Sequence, residues 1–317
     1  MTLLPEQFVL TELTIRLIIL LVVIIIERHV SLNDAYHPAT LYRYIAQKLA
    51  LKVNKRGKKQ QLISGALGGL ILFSLPLALV TLVLSIAIFP WFFEALFLLL
   101  AISCRQLITT CEQLQVSLVN QRKSLAREQL TTLCVRDTDT LSTMGITKAA
   151  IESLTQRPLQ SYFNIIIYYA LFGIYVAVSV AIINALAKYW NPKQQAYRHF
   201  GRVFSTMASL INQPIGYLMA LGVGIVFGIK YLSFNSHGWH NRGAGILLAT
   251  TGKTLKRELG GAVLYDGVKI RRPKLGGNHP PEVTDLAHIV VIVRKLQLTV
   301  LTLISFSLLT SLILSNL

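Results

Sequence analysis

Acidic residues are scarce in this 317-residue chain, 14 Asp and Glu against 31 Lys and Arg, for a formal net charge of +17 at pH 7. Charge of either sign is thin, at 14% of residues against 53% hydrophobic. The apolar residues fall in blocks of membrane length rather than at amphipathic spacing, which excludes an ordinary soluble domain and indicates a polytopic membrane protein. Cysteine is also sparse. Cys104, Cys111 and Cys134 are an odd number without metal-ligand spacing, so they indicate neither a disulfide framework nor a metal centre. Seven histidines, with His237 and His240 three apart, have no HExxH partner, so the pair reads as part of a solvated loop, with a weak metal site as the alternative. Thr251-Gly252-Lys253-Thr254 imitates the end of a phosphate loop, but that motif needs glycine at 247, which is Leu247. The basic residues lie between apolar blocks with no interleaved aromatic pattern. They therefore read as headgroup contacts and topology signals, with the lipid bilayer rather than nucleic acid as the partner.

What is present is a single 1–317 membrane domain, all-α, with about five transmembrane helices and amphipathic cytoplasmic helices. The apolar blocks are 8–26, 62–104 as a hairpin, 161–190, 209–234 and 294–317. The first lacks a basic n-region and cleavage site, so it is expected to remain as a membrane helix, with Glu12 and Arg16 paired four residues apart. The hairpin reverses near Pro76 or Pro90. Block 161–190 is either one tilted span or two short helices hinged at Gly173, and its LFGIYVAV stretch favours a continuous helix. Pro281 suits the first residue of the helix entering the last span.

Three polar segments, 27–61, 105–160 and 235–293, alternate with these blocks. The first holds an interfacial helix with Tyr42, Ile45, Ala46, Leu49 and Ala50 on one stripe, then a basic turn at Lys55–Lys59 that suits anionic lipid. With single crossings at 161–190 and 209–234, these three basic loops share one face, cytoplasmic by the positive-inside rule, and the loop from 188 to 208 lies opposite. Within 105–160, Arg105 to Lys123 reads as an amphipathic helix. A second helix is capped by Thr147 with Ile146 and Ile151 as its staple, and it turns Glu152 and Ser153 toward Arg136, Asp137 and Thr138.

The run Ala126-Arg127, Leu130, Val135-Arg136-Asp137-Thr138, Leu141, Ile146, Ala149-Ala150-Ile151-Glu152-Ser153 resembles the central motif of the CobD/CbiB family of cobalamin-biosynthesis membrane proteins. His37-Pro38 resembles that family's His-Pro element. Ser233–Trp239 and Leu259–Gly277 resemble its Asn-x-Gly-Trp and LGG…Tyr-x-Gly…Arg-Pro…LGG elements. The resemblance implies an adenosylcobinamide-phosphate synthase-like ligase of the inner membrane. Such an enzyme joins a corrinoid carboxylate to aminopropanol or its phosphate, with ATP and Mg as implied cofactors. Other membrane proteins of the pathway are further candidate partners. Asp137 and Glu152 would be catalytic; His37, Arg136, Thr138, Ser153, Asn235, Trp239, Tyr265 and Arg272 would bind substrate.

The chain departs from the family at several carboxylates. Gln156-Arg157 and Gln160-Ser161 stand where Glu-Asn and Asp-Gly are usual, the acid expected near Asn184 to Lys188 is absent, and His240-Asn241 replaces Pro-Glu. These losses leave a second reading open, a catalytically lapsed sensor or regulatory partner like the related protein AmpE. A transporter, resting on Glu12, Arg16 and Glu94 without an inverted repeat, is the weakest reading.

Overall fold

The computed structural model describes residues 12–30, 38–55 and 57–314. It is an all-α assembly with four short strands. Helices α1 (Glu12–His29), α2 (Pro38–Val53), α3 (Lys58–Ile86), α4 (Pro90–Ala101), α5 (Arg105–Val119) and α6 (Lys123–Leu133) precede the central motif. Next come α7 (Thr143–Pro158), a π-helical turn (Leu159–Phe163), α8 (Asn164–Phe172), α9 (Ile174–Tyr189) and α10 (Arg202–Phe227). The chain closes with α11 (Arg242–Leu255), strands β1 (Glu258–Gly260), β2 (Val263–Tyr265), β3 (Val268–Ile270) and β4 (Lys274–Gly276), and α12 (Asp285–Leu314). Among the described residues four helical segments are long and apolar enough to cross a membrane, Lys58–Ile86, Pro90–Val119 (α4 and α5 taken together), Arg202–Phe227 and Asp285–Ile313, where the sequence suggests about five. Leu67, Leu70, Ile71, Leu75, Leu79 and Leu82 stay exposed on α3, an apolar face that lipid covers.

The hairpin expected over 62–104 turns between α3 and α4, at Pro90 rather than Pro76. Pro76 lies inside α3 without ending it. Proline cannot donate to the carbonyl four residues back, and the Tyr42 hydroxyl of α2 donates to that carbonyl, Leu72 O, at 3.1 Å. Tyr42→Phe is therefore expected to cost about 1 kcal/mol, read as a lower unfolding midpoint in detergent. Glu12 and Arg16 pair at 3.4 Å, as their spacing predicts. Cys111 and Leu114 of α5 are buried, in keeping with its apolar stripe.

The structure corrects several expectations. Block 161–190 is two helices, not one. Gly173 takes φ +80, a left-handed conformation that a helix interior lacks, and α8 packs back against α9. The 188–208 loop therefore returns to the face carrying the other loops. Asn54 Nδ2 donates to Ala196 O at 2.7 Å, and Gln195 N donates to Asp266 Oδ2 at 2.9 Å. Beyond α10 the chain also comes back: Leu232 lies against Gly224, and Asn241 Nδ2 reaches Ser209 O at 2.7 Å near the start of α10. The cap of α7 is Ser142, whose hydroxyl accepts from Gly145 N, which moves the staple positions to Leu141 and Ile146; Thr147 is buried a turn inside. α12 begins at Asp285, four residues after Pro281, with the Asp285 carboxylate accepting from Glu282 N at 2.7 Å.

A chain of buried amides joins the middle helices. Asn164 Nδ2 donates to Asn212 Oδ1, Asn212 Nδ2 to Asn184 Oδ1 at 2.8 Å, and Asn184 Nδ2 to Gln160 O of the π-helical turn at 2.9 Å. In an apolar surrounding each amide needs a partner, so the three asparagines hold α8, α9 and α10 in one arrangement.

Candidate functional site

Residues 134–142 form a non-helical connector between α6 and α7. Arg127 of α6 grips its end, donating from Nη2 to Leu141 O at 2.8 Å. In mid-connector, Asp137 N donates to Leu264 O of β2 at 3.1 Å, laying the connector along the β2–β3 hairpin. The Asp137 carboxylate then accepts from Asp266 N at 3.1 Å and Gly267 N at 2.8 Å. Asp266 and Gly267, at φ 48 and 76, are the two-residue turn of that hairpin. Asp137 thus clasps the turn from a loop about 130 residues earlier.

One residue away, Arg136 turns toward α7, where Glu152 is buried. Glu152 Oε2 accepts from Arg136 Nη2 at 3.2 Å and from Arg272 Nη2 at 2.9 Å, while Oε1 accepts from Gly260 N at 2.8 Å. A single side chain therefore ties the connector, β1 and the β3–β4 link together. Burial, the largest single influence, drags the Arg136 guanidinium downward in pKa, but Glu152 together with Cys134 and Tyr265 more than offsets it and the net shift is upward. Arg272 also donates from Nε to Gly261 O at 3.1 Å, and its guanidinium lies 5.0 Å from the centre of the Trp239 ring. Tyr265 is buried beside the cluster, and burial pushes its hydroxyl up in pKa.

The structure therefore brings Arg136, Asp137, Glu152, Trp239, Tyr265 and Arg272 to one place. Thr138 and Ser153 are buried next to these residues but make no hydrogen bond to them among the described residues. Asn235 is exposed, and its Oδ1 accepts from His237 N at 3.4 Å in its own turn, with no hydrogen bond to the cluster among the described residues. His37 lies outside the described residues.

Lys193 is a member of this cluster that sequence reasoning misses, because its loop is assigned there to the other face. Its ammonium sits 5.7 Å from the centre of the Tyr265 ring. The residue is exposed although protein crowds its ammonium. Burial, then Arg272 and Arg136, lower its pKa to about 8, with Glu152 acting in the opposite sense; access to water moderates that shift. The signal that would have found it is Gly173 at the centre of the apolar block, read as a hinge.

The metal that the family resemblance implies finds no cage here. Both oxygens of Glu152 are engaged by guanidinium and backbone N–H groups, and among the described residues no three His, Cys, Asp or Glu side chains gather to hold an ion. A recess of about 370 Å³ between α5 and α6, lined by Glu112, Gln113, Ser117 and Gln129, is separate from this cluster.

The family model described as CobD/Cbib protein matches residues 20–293. The chain is similar to "Cobalamin biosynthesis protein CobD" of Chromobacterium violaceum, 27% identical over 202 residues, 62% of this chain and 65% of that protein. Proteins of the same name from Stutzerimonas stutzeri and Mycobacterium tuberculosis are each 25% identical, over 68% and 62% of this chain and 72% and 66% of their own lengths. The chain thus spans about two thirds of the length of these curated relatives, slightly less for the first. No solved structure matches it.

Proposed function

The chain belongs to the CobD/CbiB family, and from that membership we infer that it serves cobalamin biosynthesis, joining a corrinoid side-chain carboxylate to aminopropanol or its phosphate to give a cobinamide. The observation that carries this reading is the meeting of separate polar segments at Glu152, with Arg136 and Arg272 on one carboxylate oxygen and Gly260 N on the other. Forming the amide requires bringing an anionic carboxylate, and a phosphate where the amine carries one, to the same place. Fixed guanidinium groups lower that cost because they are already oriented when the anion arrives. ATP, when bound, would supply the phosphoryl or nucleotidyl group that turns a carboxylate oxygen into a leaving group, and the cations of the cluster suit its phosphates.

In this reading Glu152 keeps the two arginines in place and Asp137 holds the β2–β3 turn against them. The membrane is the inner membrane. The loops face the cytoplasm, in keeping with the basic residues they carry, and corrinoid, amine and pathway membrane proteins are the partners. The sensor-like reading is not favoured, since these relatives are all named for cobalamin biosynthesis. In a strain lacking the cobinamide-forming step, the wild-type chain is expected to restore growth that depends on cobyric acid, and Asp137→Asn and Glu152→Gln are expected to abolish it. A wild-type chain that reaches the membrane folded and leaves the strain unrescued overturns the proposal.

A further inference from the structure

We propose that Lys193, Arg136 and Arg272 form a receiving site for a phosphate monoester, with Lys193 the group that controls its occupancy. The inference rests on the reading of the site as cobinamide-forming and deepens it, because one of the two amines considered there carries such a phosphate. Its test, however, needs neither corrinoid nor turnover.

Three cationic side chains gather around one carboxylate: Arg136 and Arg272 both hold Glu152 Oε2, and Lys193 sits over Tyr265 beside them. Among the described residues no carboxylate lies within ion-pair distance of Lys193. Neither Asp137 nor Asp266 figures among the charges acting on it; Arg272, Glu152 and Arg136 do. Asp137 is held by the N–H groups of the hairpin turn, and one oxygen of Asp266 by Gln195 N. Like charges gathered in a crowded setting repel, and the fold has to hold them there against that repulsion. Such an arrangement marks a place where a ligand brings the missing negative charge.

The aromatic rings support the same reading. Trp239 under Arg272 and Tyr265 under Lys193 fix the cations without neutralising them. Lys193 is exposed, so an arriving anion can reach its ammonium. A phosphate monoester suits this site better than a single carboxylate. Near neutral pH it carries up to two charges and three acceptor oxygens, against a local excess of two cations. Its second proton leaves near pH 6, so from pH 7.5 upward the charge on the ligand is steady and any further change belongs to the protein.

Lys193 then imposes a pH dependence. Its pKa is lowered from the ordinary 10.5 toward about 8, with exposure to water moderating the shift, so the empty site loses one cation at a lower pH than an ordinary lysine would. Between the two pKa values the unfolded chain binds the extra proton and the fold does not. The stability of the unliganded protein therefore gains from this group as the pH rises through that window. Anion affinity moves the opposite way and falls. A lysine with a merely structural role would not produce that opposition.

The test uses the purified full-length chain in detergent, titrated calorimetrically with O-phosphoethanolamine, ethanolamine, inorganic phosphate and ATP. O-phosphoethanolamine is expected to bind and ethanolamine to fail. Lys193→Met is expected to weaken O-phosphoethanolamine by about tenfold or more. Wild-type affinity should fall between pH 7.5 and 9.5, whereas Lys193→Arg, which does not titrate there, should keep a flat profile. Binding of O-phosphoethanolamine without ATP identifies the amine's phosphate as the source, and binding of ATP alone identifies the nucleotide's; either supports the phosphate site. Should Lys193→Met fail to fold, the Lys193→Arg profile decides. The proposal is overturned if no phosphate-bearing probe binds the wild type, if a folded Lys193→Met binds as tightly, or if Lys193→Arg follows the wild-type pH curve. Failed rescue in the growth assay with intact phosphate binding would count against the proposed reaction and leave this site standing.

Discussion

Glu152→Ala is expected to destabilise the protein by about 3–5 kcal/mol, the cost of leaving buried charge without its partner. The variant loses the acceptor for Arg136, Arg272 and Gly260 N together. Both guanidinium groups are poorly exposed, with side-chain accessibilities of 9% and 14%, so water replaces the carboxylate only in part. The consequence extends beyond stability. Because Glu152 links α7 to β1 and to the β3–β4 segment, its loss should free the 258–277 region locally before the helices melt. Limited proteolysis of the variant in detergent is expected to cut within 258–277 while the apolar helices survive. Glu152→Gln keeps the shape and one acceptor oxygen, so it should lie between wild type and alanine in stability while still failing in the growth assay. A Glu152→Ala protein as stable and as protease-resistant as the wild type would show that Glu152 does not hold the cluster together.

Asn212→Leu is expected to cost about 2–4 kcal/mol, because it strands two buried polar groups at once. Asn212 stands in the middle of the amide chain, accepting from Asn164 and donating to Asn184, and all three residues are about nine-tenths buried or more. Leucine can neither accept nor donate, so both neighbouring amides lose a partner. The triple replacement Asn164→Leu, Asn184→Leu and Asn212→Leu removes the polar groups together, so it should be less destabilised than Asn212→Leu alone. Unfolding midpoints in a common detergent measure both. If the triple variant proves the least stable, the chain is adding net stability rather than satisfying its own polarity.

Much of the central motif is legible in the amino-acid sequence. Arg136 and Glu152 are expected to face each other because one lies just ahead of a helix and the other within it. That expectation holds although the cap is Ser142 and not Thr147, five residues later. Glu152 sits on the same helix either way, and only the entry to that helix moves. Tyr265 and Arg272 are picked out by resemblance, and the Asp266-Gly267 turn explains why they lie where they do: two successive positive φ values reverse the chain and return Arg272 toward Trp239. Asn235 is picked out by the same resemblance, yet its amide serves its own turn. Local motifs specify a turn; they do not specify which neighbour it meets.

The sequence by itself determined the class of protein. Blocks of apolar residues too long for a soluble core, with basic loops between them, leave few alternatives to helices in lipid, because every backbone amide in that medium must be satisfied within its own segment. Tertiary structure alone decided where those segments turn. An apolar run of thirty or so residues has the same hydropathy whether it crosses once or folds back on itself; the single φ of +80 at Gly173 and the packing of α8 on α9 select the second. That choice returns Lys193 to the face that holds Tyr265 and Arg272. Hydrophobic burial rewards both paths alike, so the difference lies in side-chain contacts between distant segments, which no window along the chain records.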